Sequence, residues 1–162
     1  MTAAAADTAH GQFTITRDYA ASPARVFAAW ADIEAKSRWF IGPNDWTLIE
    51  RRLDFRVGGE EVLHGRFAGS GMDTLFTARY HLIEPGARLV YVYDMNVGPR
   101  HHSVSLATVE FRARGDGTTL RFTEQVVFVD GTASAEGTPS RERGTAAHLD
   151  RIAAVIDGAT TR

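Results

Sequence analysis

Along most of this chain hydrophobic positions recur every second residue, and only near the two ends do they recur at the helical period. The segment FTITRDY, 13–19, alternates in character and predicts a first strand with Phe13, Ile15 and Tyr19 on one face. The pattern then changes. Ser22 is placed to cap a helix and Pro23 to occupy its first turn, where a missing amide proton costs nothing. Val26, Phe27, Trp30 and Ile33 follow as an apolar helical stripe, with Asp32 either ending that helix or capping a second one running to about Trp39.

Turn-forming residues next arrive at hairpin intervals, in VGGE (57–60), GSGM (69–72), EPGA (84–87) and RGDG (114–117). They divide the chain into six antiparallel strands, at about 46–57, 61–68, 73–84, 88–95, 103–114 and 118–128. The polar stretch 129–140 reads as a loop or flap. Thr138–Pro139 repeats the Ser22–Pro23 start signal, opening a last helix with Leu149, Ile152, Ala153 and Ile156 as its stripe.

Each turn fixes which residues lie opposite one another. With Pro85–Gly86 as the turn, Leu82 faces Leu89, Tyr80 faces Tyr91, Ala78 faces Tyr93 and Phe76 faces Met95. With Asp116–Gly117, Ala113 faces Leu120, Phe111 faces Phe122, Val109 faces Glu124 and Ala107 faces Val126. The Gly69–Met72 hairpin sets Leu63 and Phe67 beside Ala78 and Thr74, and matching Phe55 to Leu63 requires a bulge or a three-residue turn. These registers collect the large apolar side chains on one face and leave Arg79, His81, Arg88, Arg112 and Arg121 on the other. The apolar face needs a cover, which the last helix supplies while the early helices close one end.

Composition narrows the function classes. The chain has 162 residues, 44% hydrophobic and 23% charged, as expected of one globular domain over 13–158 behind a flexible lead-in, 1–12. A net charge of −2 gives no reason to expect nucleic acid or an anionic membrane as partner. The absence of cysteine excludes disulfides, thiolate metal sites and cysteine nucleophiles, and fits a cytoplasmic location. The start MTAAAADTAHGQ lacks the basic and apolar blocks of a secretory signal, and no window of about 20 apolar residues would span a membrane.

The order strand, helix pair, six strands, long helix is that of the helix-grip fold of the START-like superfamily, an α+β fold. Its curved antiparallel sheet of about seven strands wraps around the C-terminal helix. The segments ITRDYAASPARVFAAWAD, LDFRVGGE, YHLIEPGARLVYVY, TVEFRARGDGTTLRFTE and HLDRIAAVIDG resemble the activator-of-heat-shock-ATPase homologue family, also called polyketide-cyclase-like or SRPBCC proteins. The similarity runs over about 13–158. It implies a hydrophobic cavity between sheet and long helix. One departure stands out: family members often carry an aromatic after the glycine that opens the last helix, where this chain has Thr145 after Gly144.

Glu124 is the only candidate for acid–base chemistry, because the register sets its carboxylate among apolar neighbours, where an unpaired charge is costly. Its structural alternative is an ion pair with an interior arginine such as Arg51. Tyr80, Tyr91 and Tyr93 share the concave face with Phe76, Met95, Phe111 and Phe122, offering hydroxyls and flat rings to a guest. Trp39, Phe40 and Trp46 bracket IGPND, near the expected cavity mouth. The histidines do not form a metal site: His101 and His102 are adjacent and so point apart, His64 falls on the outer face, and His10 and His148 have no evident partner. Ser70, Ser103, Ser105, Ser134 and Ser140 likewise show no partner, and the charge run SRERG, 140–144, reads as a solvated helix start. Phosphate-binding, dinucleotide and hydrolase signatures are missing, and no cofactor is expected.

Three functions fit these features. The first is binding of a small hydrophobic or aromatic ligand without catalysis. The second is a polyketide cyclase or dehydratase using the same cavity, with Glu124 moving protons. The third is an interaction protein that activates a chaperone ATPase. It ranks last, because the co-chaperone behind the family name carries an additional N-terminal domain. An exposed edge strand or the mouth aromatics offer a route to a homodimer.

Overall fold

In the computed structural model, which describes residues 5–160 and side chains as far as Asp157, one seven-stranded antiparallel sheet wraps around a long helix. The elements are β1 (Ala9–Tyr19), α1 (Pro23–Ala31), α2 (Ile33–Trp39), β2 (Trp46–Leu53), β3 (Glu60–Phe67), β4 (Asp73–Glu84), β5 (Arg88–Val97), β6 (Arg100–Arg114), β7 (Gly117–Phe128) and α3 (Ser134–Thr160). Their order across the sheet is β1-β7-β6-β5-β4-β3-β2, so β1 closes the meander from the far side. The expected α+β helix-grip architecture is the observed one. The first strand starts at Ala9, so part of the expected lead-in 1–12 is strand; its first four residues lie outside the described part.

The helix signals act as the sequence implied, although Ile33, expected in the stripe with Val26, Phe27 and Trp30, opens α2 and is exposed. The Ser22 hydroxyl accepts from the Arg25 amide, and Asp32 does both jobs, ending α1 and accepting from Glu34 and Ala35 at the start of α2. Trp30 and Trp39 then pack at 4.7 Å, fixing the two short helices against each other.

Three hairpin registers depart from expectation by an even number of residues. In β6–β7 the turn is Gly115–Asp116, with Gly115 at φ 59°, so Arg114 opposes Gly117 and Phe111 opposes Leu120. Glu124 therefore lies opposite Ala107, not Val109. Gly117 is needed in the strand itself, where a Cβ would lie 2.5 Å from the Tyr19 carbonyl. In β3–β4, Leu63 opposes Phe76 rather than Ala78. In β2–β3, Arg51 rather than Phe55 opposes Leu63, and Phe55 lies in the connection, edge-on to Phe27 and Tyr80. A two-residue shift preserves which side of the sheet each residue occupies, so the apolar face is as expected. The β4–β5 hairpin has a three-residue turn and a bulge at His81 that cancel, giving Tyr80–Tyr91, Ala78–Tyr93 and Phe76–Met95, while Leu82 meets Val90 instead of Leu89.

The stretch 129–140 is a loop only as far as Ala133. From Ser134 it is helix, one turn earlier than the Thr138–Pro139 signal, with Pro139 inside α3. Tertiary contacts supply what local sequence does not: the Ser134 hydroxyl donates to the His10 carbonyl, and Thr138 packs directly on Gly11 of β1. Farther along, Tyr19 donates to the Leu149 carbonyl at 2.7 Å and Arg17 pairs with Asp150. Leu149, Ile152 and Ile156 are buried as their spacing predicted, whereas Ala153, expected in the same stripe, is exposed and Val155 packs against the core instead.

A Cβ on Gly11 would lie 1.9 Å from the Thr138 hydroxyl oxygen. Gly11→Ala is therefore expected to cost about 1–3 kcal/mol by overpacking, measured by urea denaturation, with part of the loss recovered in the Gly11→Ala/Thr138→Ala double variant.

Candidate functional site

The concave face of the sheet does not fill against α3. Between them lies a cavity of about 440 Å³. Its walls come from seven elements: Trp30 of α1, Lys36 and Trp39 of α2, Phe76 of β4, Tyr91, Tyr93 and Met95 of β5, His102 of β6, Phe122 and Glu124 of β7, and one side of α3. Phe40 joins them from the end of α2, edge-on to Phe76 at 4.9 Å. Among the residues singled out from the sequence, Trp46, Tyr80 and Phe111 sit behind this wall. Trp46 covers Gly65 and donates to the Thr74 hydroxyl, and Phe111 packs edge-on against Phe27 and Trp30.

Two buried carboxylates are built into the sheet, and each is matched by the same kind of group. Glu124, with no exposed surface, directs Oε2 at three donors: the Ser105 hydroxyl at 2.7 Å, the Tyr93 hydroxyl at 2.8 Å and the Arg141 guanidinium at 3.1 Å. Arg141 also donates to Tyr93, Ser105 and, at 2.7 Å, Ser103. The partner of Glu124 is thus Arg141 and not Arg51, whose guanidinium donates to the Phe40 carbonyl. Ser103 and Ser105, which lacked partners in the sequence, are the hydroxyl component of this network.

The second carboxylate is Glu61. Its Oε1 receives the Lys36 ammonium at 2.7 Å and the Tyr80 hydroxyl at 2.6 Å. Lys36 Nζ also lies 5.2 Å from the Phe40 ring centre, 5.4 Å from Trp30 and 5.7 Å from Trp39, a cage of aromatic faces that suits an ammonium. Burial nonetheless pulls the Lys36 pKa below its ordinary value, against the opposing pull of Glu61. Burial, followed by the charge of Glu61, pushes the Tyr80 phenol far up, and burial does the same to Tyr91 and Tyr93, so all three stay protonated.

Sequence reasoning missed Lys36, Glu61 and Arg141. Glu61 shares strand parity with Leu63, which was already assigned to the inner face. Lys36 lies three residues from both Ile33 and Trp39. The SRERG run is not wholly solvated: Arg141 turns inward to the cavity wall and to Glu124.

His148 is the other surprise, since it has partners. Its Nε2 lies 3.0 Å from the Ile41 carbonyl, and its ring stands edge-on to Phe40. Burial, then the charge of Arg151, holds its pKa at about 4, so the ring is neutral at pH 7 and Nε2 donates. His101 and His102 go to different carboxylates, Asp94 and Asp130. His64 pairs with Asp73. Among the described residues no three His, Asp or Glu side chains converge as a metal site requires, and no helix is long and apolar enough to cross a membrane.

The sequence profile of the family described as "Activator of Hsp90 ATPase homolog 1-like protein" matches residues 20–157. Two solved structures from rhizobia are similar. One is a putative uncharacterized protein from Rhizobium leguminosarum (38% identity, covering 93% of this chain and 97% of that one, TM-score 0.86). The other is the Mll3558 protein from Rhizobium loti (42% identity, covering 92% and 99%, TM-score 0.81). An AHSA1-like protein from Aeromonas hydrophila shares the fold at 22% identity, covering 93% and 96%, with a TM-score of 0.66. A search of the curated proteins finds no match. The chain belongs to the activator-of-Hsp90-ATPase homologue family.

Two outcomes follow from the buried charges. Lys36→Met strands the Glu61 carboxylate and is expected to destabilise the fold by about 3–5 kcal/mol in urea denaturation, with Lys36→Met/Glu61→Leu recovering most of it. For His148, the unfolded state binds a proton near pH 6.5 and the folded state only near pH 4, so stability falls as pH drops through that window. The loss is on the order of 3 kcal/mol. His148→Gln is expected to flatten that slope in denaturation curves taken between pH 7 and pH 4.

Proposed function

We propose that this family member is a small-molecule binding protein, holding one compact apolar or aromatic guest between the sheet and α3. The observation that carries the reading is the unfilled cavity of about 440 Å³. Protein interiors close-pack, with few voids larger than a water molecule, whereas ligand pockets span roughly 300–1,000 Å³. Around this space the aromatic rings are already braced, Phe76 against Tyr93 at 4.7 Å and Trp30 stacked on Phe122 at 6.4 Å, so they keep their places when the cavity is empty. A preformed pocket spares a ligand the cost of ordering its walls.

The polar groups favour holding a guest over transforming it. Both carboxylates are engaged by a cation and a tyrosine, and an acid–base cycle on Glu124 would have to break the Arg141 pair and the Tyr93 and Ser105 hydrogen bonds together. The way in runs beside the first half of α3. Gly144 is exposed to solvent and also borders the cavity, and a Cβ there meets nothing within 4 Å. A bulky residue is what the resemblance led one to expect nearby; Thr145, also on the cavity wall, leaves that space open.

The test is uptake of N-phenyl-1-naphthylamine, followed by its fluorescence. The wild-type chain is expected to bind one equivalent, and Gly144→Phe to weaken binding at least ~10-fold with the thermal midpoint preserved. Equal binding by both proteins, or by neither, sinks the reading.

A further inference from the structure

The ladder between β5 and β6 is irregular at one place, and that place is on the cavity wall. Met95 lies opposite Ser103 and Asn96 opposite His101, so His102 is an extra residue on β6 with no partner on β5. Strict alternation would send its side chain away from the side of Ser103, which bonds Arg141. His102 instead borders the cavity, because a bulge re-aims the side chain it carries. Its carbonyl accepts from the Val129 amide at 3.0 Å, which ties the bulge to the end of β7. Its ring lies 5.3 Å from that of Phe128, against which Gly137 in the first turn of α3 packs.

A carboxylate fixes the ring. Nδ1 lies 2.7 Å from Asp130 Oδ2, and Asp130 Oδ1 accepts from the Thr132 hydroxyl at 2.7 Å and the Thr132 amide at 3.1 Å. Arg100 stands 3.7 Å from the same Oδ2. A carboxylate among these donors acts as acceptor, so Nδ1 carries a proton, and in the neutral imidazole Nε2 is left with its lone pair. No described residue bonds Nε2. The side chain keeps 20% of its surface exposed, and Nε2, unlike Trp30 Nε1 and Glu124 Oε1, is not a sealed atom. The wall of aromatic rings thus includes one accessible acceptor whose tautomer is set from behind.

Neighbouring charges decide what can bond it. Arg141 lies over the Phe128 ring at 5.7 Å and Arg100 flanks Asp130, so a cationic guest is repelled. An anion would bring its own lone pairs against that of Nε2, with the Asp130 carboxylate behind it. What remains is a neutral group with a proton to share. Among planar guests an aromatic hydroxyl is the strongest such donor, and its ring suits the faces of Phe76, Tyr93 and Phe122.

We infer that the guest is a neutral hydroxylated aromatic, of the phenol or naphthol class, whose O–H donates to His102 Nε2 at the end of the cavity where α3 begins. The inference rests on the binding role proposed above and adds a polar anchor to it. A site that bonds a hydroxyl rejects the analogue lacking it more strongly than a greasy pocket distinguishes shapes.

Calorimetry with 2-naphthol and 2-methoxynaphthalene tests this, because the two share a ring system and only the first can donate. At about pH 8, where an imidazole is ordinarily neutral, wild-type protein is expected to bind 2-naphthol about 5- to 10-fold tighter. His102→Asn keeps an N–H for Asp130 where Nδ1 stood and removes Nε2, so the thermal midpoint and the binding of the ether are expected to persist while the preference for 2-naphthol disappears. A second readout needs no variant. In 15N-labelled wild-type protein, 2-naphthol is expected to move the His102 Nε2 resonance toward that of a hydrogen-bonded nitrogen, and the ether to leave it in place. Equal affinity of the wild-type protein for the two compounds, or a preference that survives in His102→Asn, overturns the inference and leaves the cavity a binding site. Should neither compound bind, both readings fall together.

Discussion

Arg141 reaches from α3 to Glu124 in the middle of the sheet, and the form of the cavity depends on that bridge. An empty space of several hundred cubic ångströms inside a small domain invites collapse, because every atom lining it lacks dispersion partners on one side. A guanidinium bonded to Glu124, Tyr93, Ser105 and Ser103 resists that collapse. Its fork is rigid and its bonds are directional, so it sets a fixed distance between helix and sheet. Burying this charge is costly by itself, and the cost is offset only because both ions are matched and surrounded by hydroxyls. Lys36 with Glu61 and Tyr80 repeats the device on the other side, tying α2 to β3 and β4.

The two networks divide the polar work unequally. Glu61 lies behind the wall, and its task is to hold the helix pair in place. Glu124 lies on the wall, with Oε2 committed to the Arg141, Tyr93 and Ser105 network. The arrangement also explains why the tyrosines differ although they look alike in sequence. Tyr80 and Tyr93 complete carboxylate networks, whereas Tyr91, opposite Tyr80 in the sheet, packs its ring against both of theirs.

Membership of a family described by chaperone-ATPase activation does not conflict with this site, because the segments of this chain that resemble the family are caps, turns and strand faces. Those features specify a sheet wrapped on a helix. The residues facing the hollow in this chain include Gly144 and Thr145. Function resides in that lining rather than in the fold that carries it.

Much of this was legible in the amino-acid sequence. Strand alternation sorted Tyr80, Tyr91, Tyr93, Phe76, Phe122 and Glu124 onto one face, and this survived hairpin registers that were wrong by two or four residues, because a strand's side-chain period is two. The caps at Ser22 and Asp32 are local hydrogen bonds between near neighbours, and local sequence contains all of their parts. The partner of Glu124 was not legible, since Arg141 is 17 residues away on another element and looks like part of a charged surface run. Nor was the early start of α3, which depends on Gly11 of a distant strand admitting Thr138. Periodicity determines which way a side chain points. What it meets there is decided only when separate elements close on one another, and the unfilled space between them belongs to no single stretch of sequence.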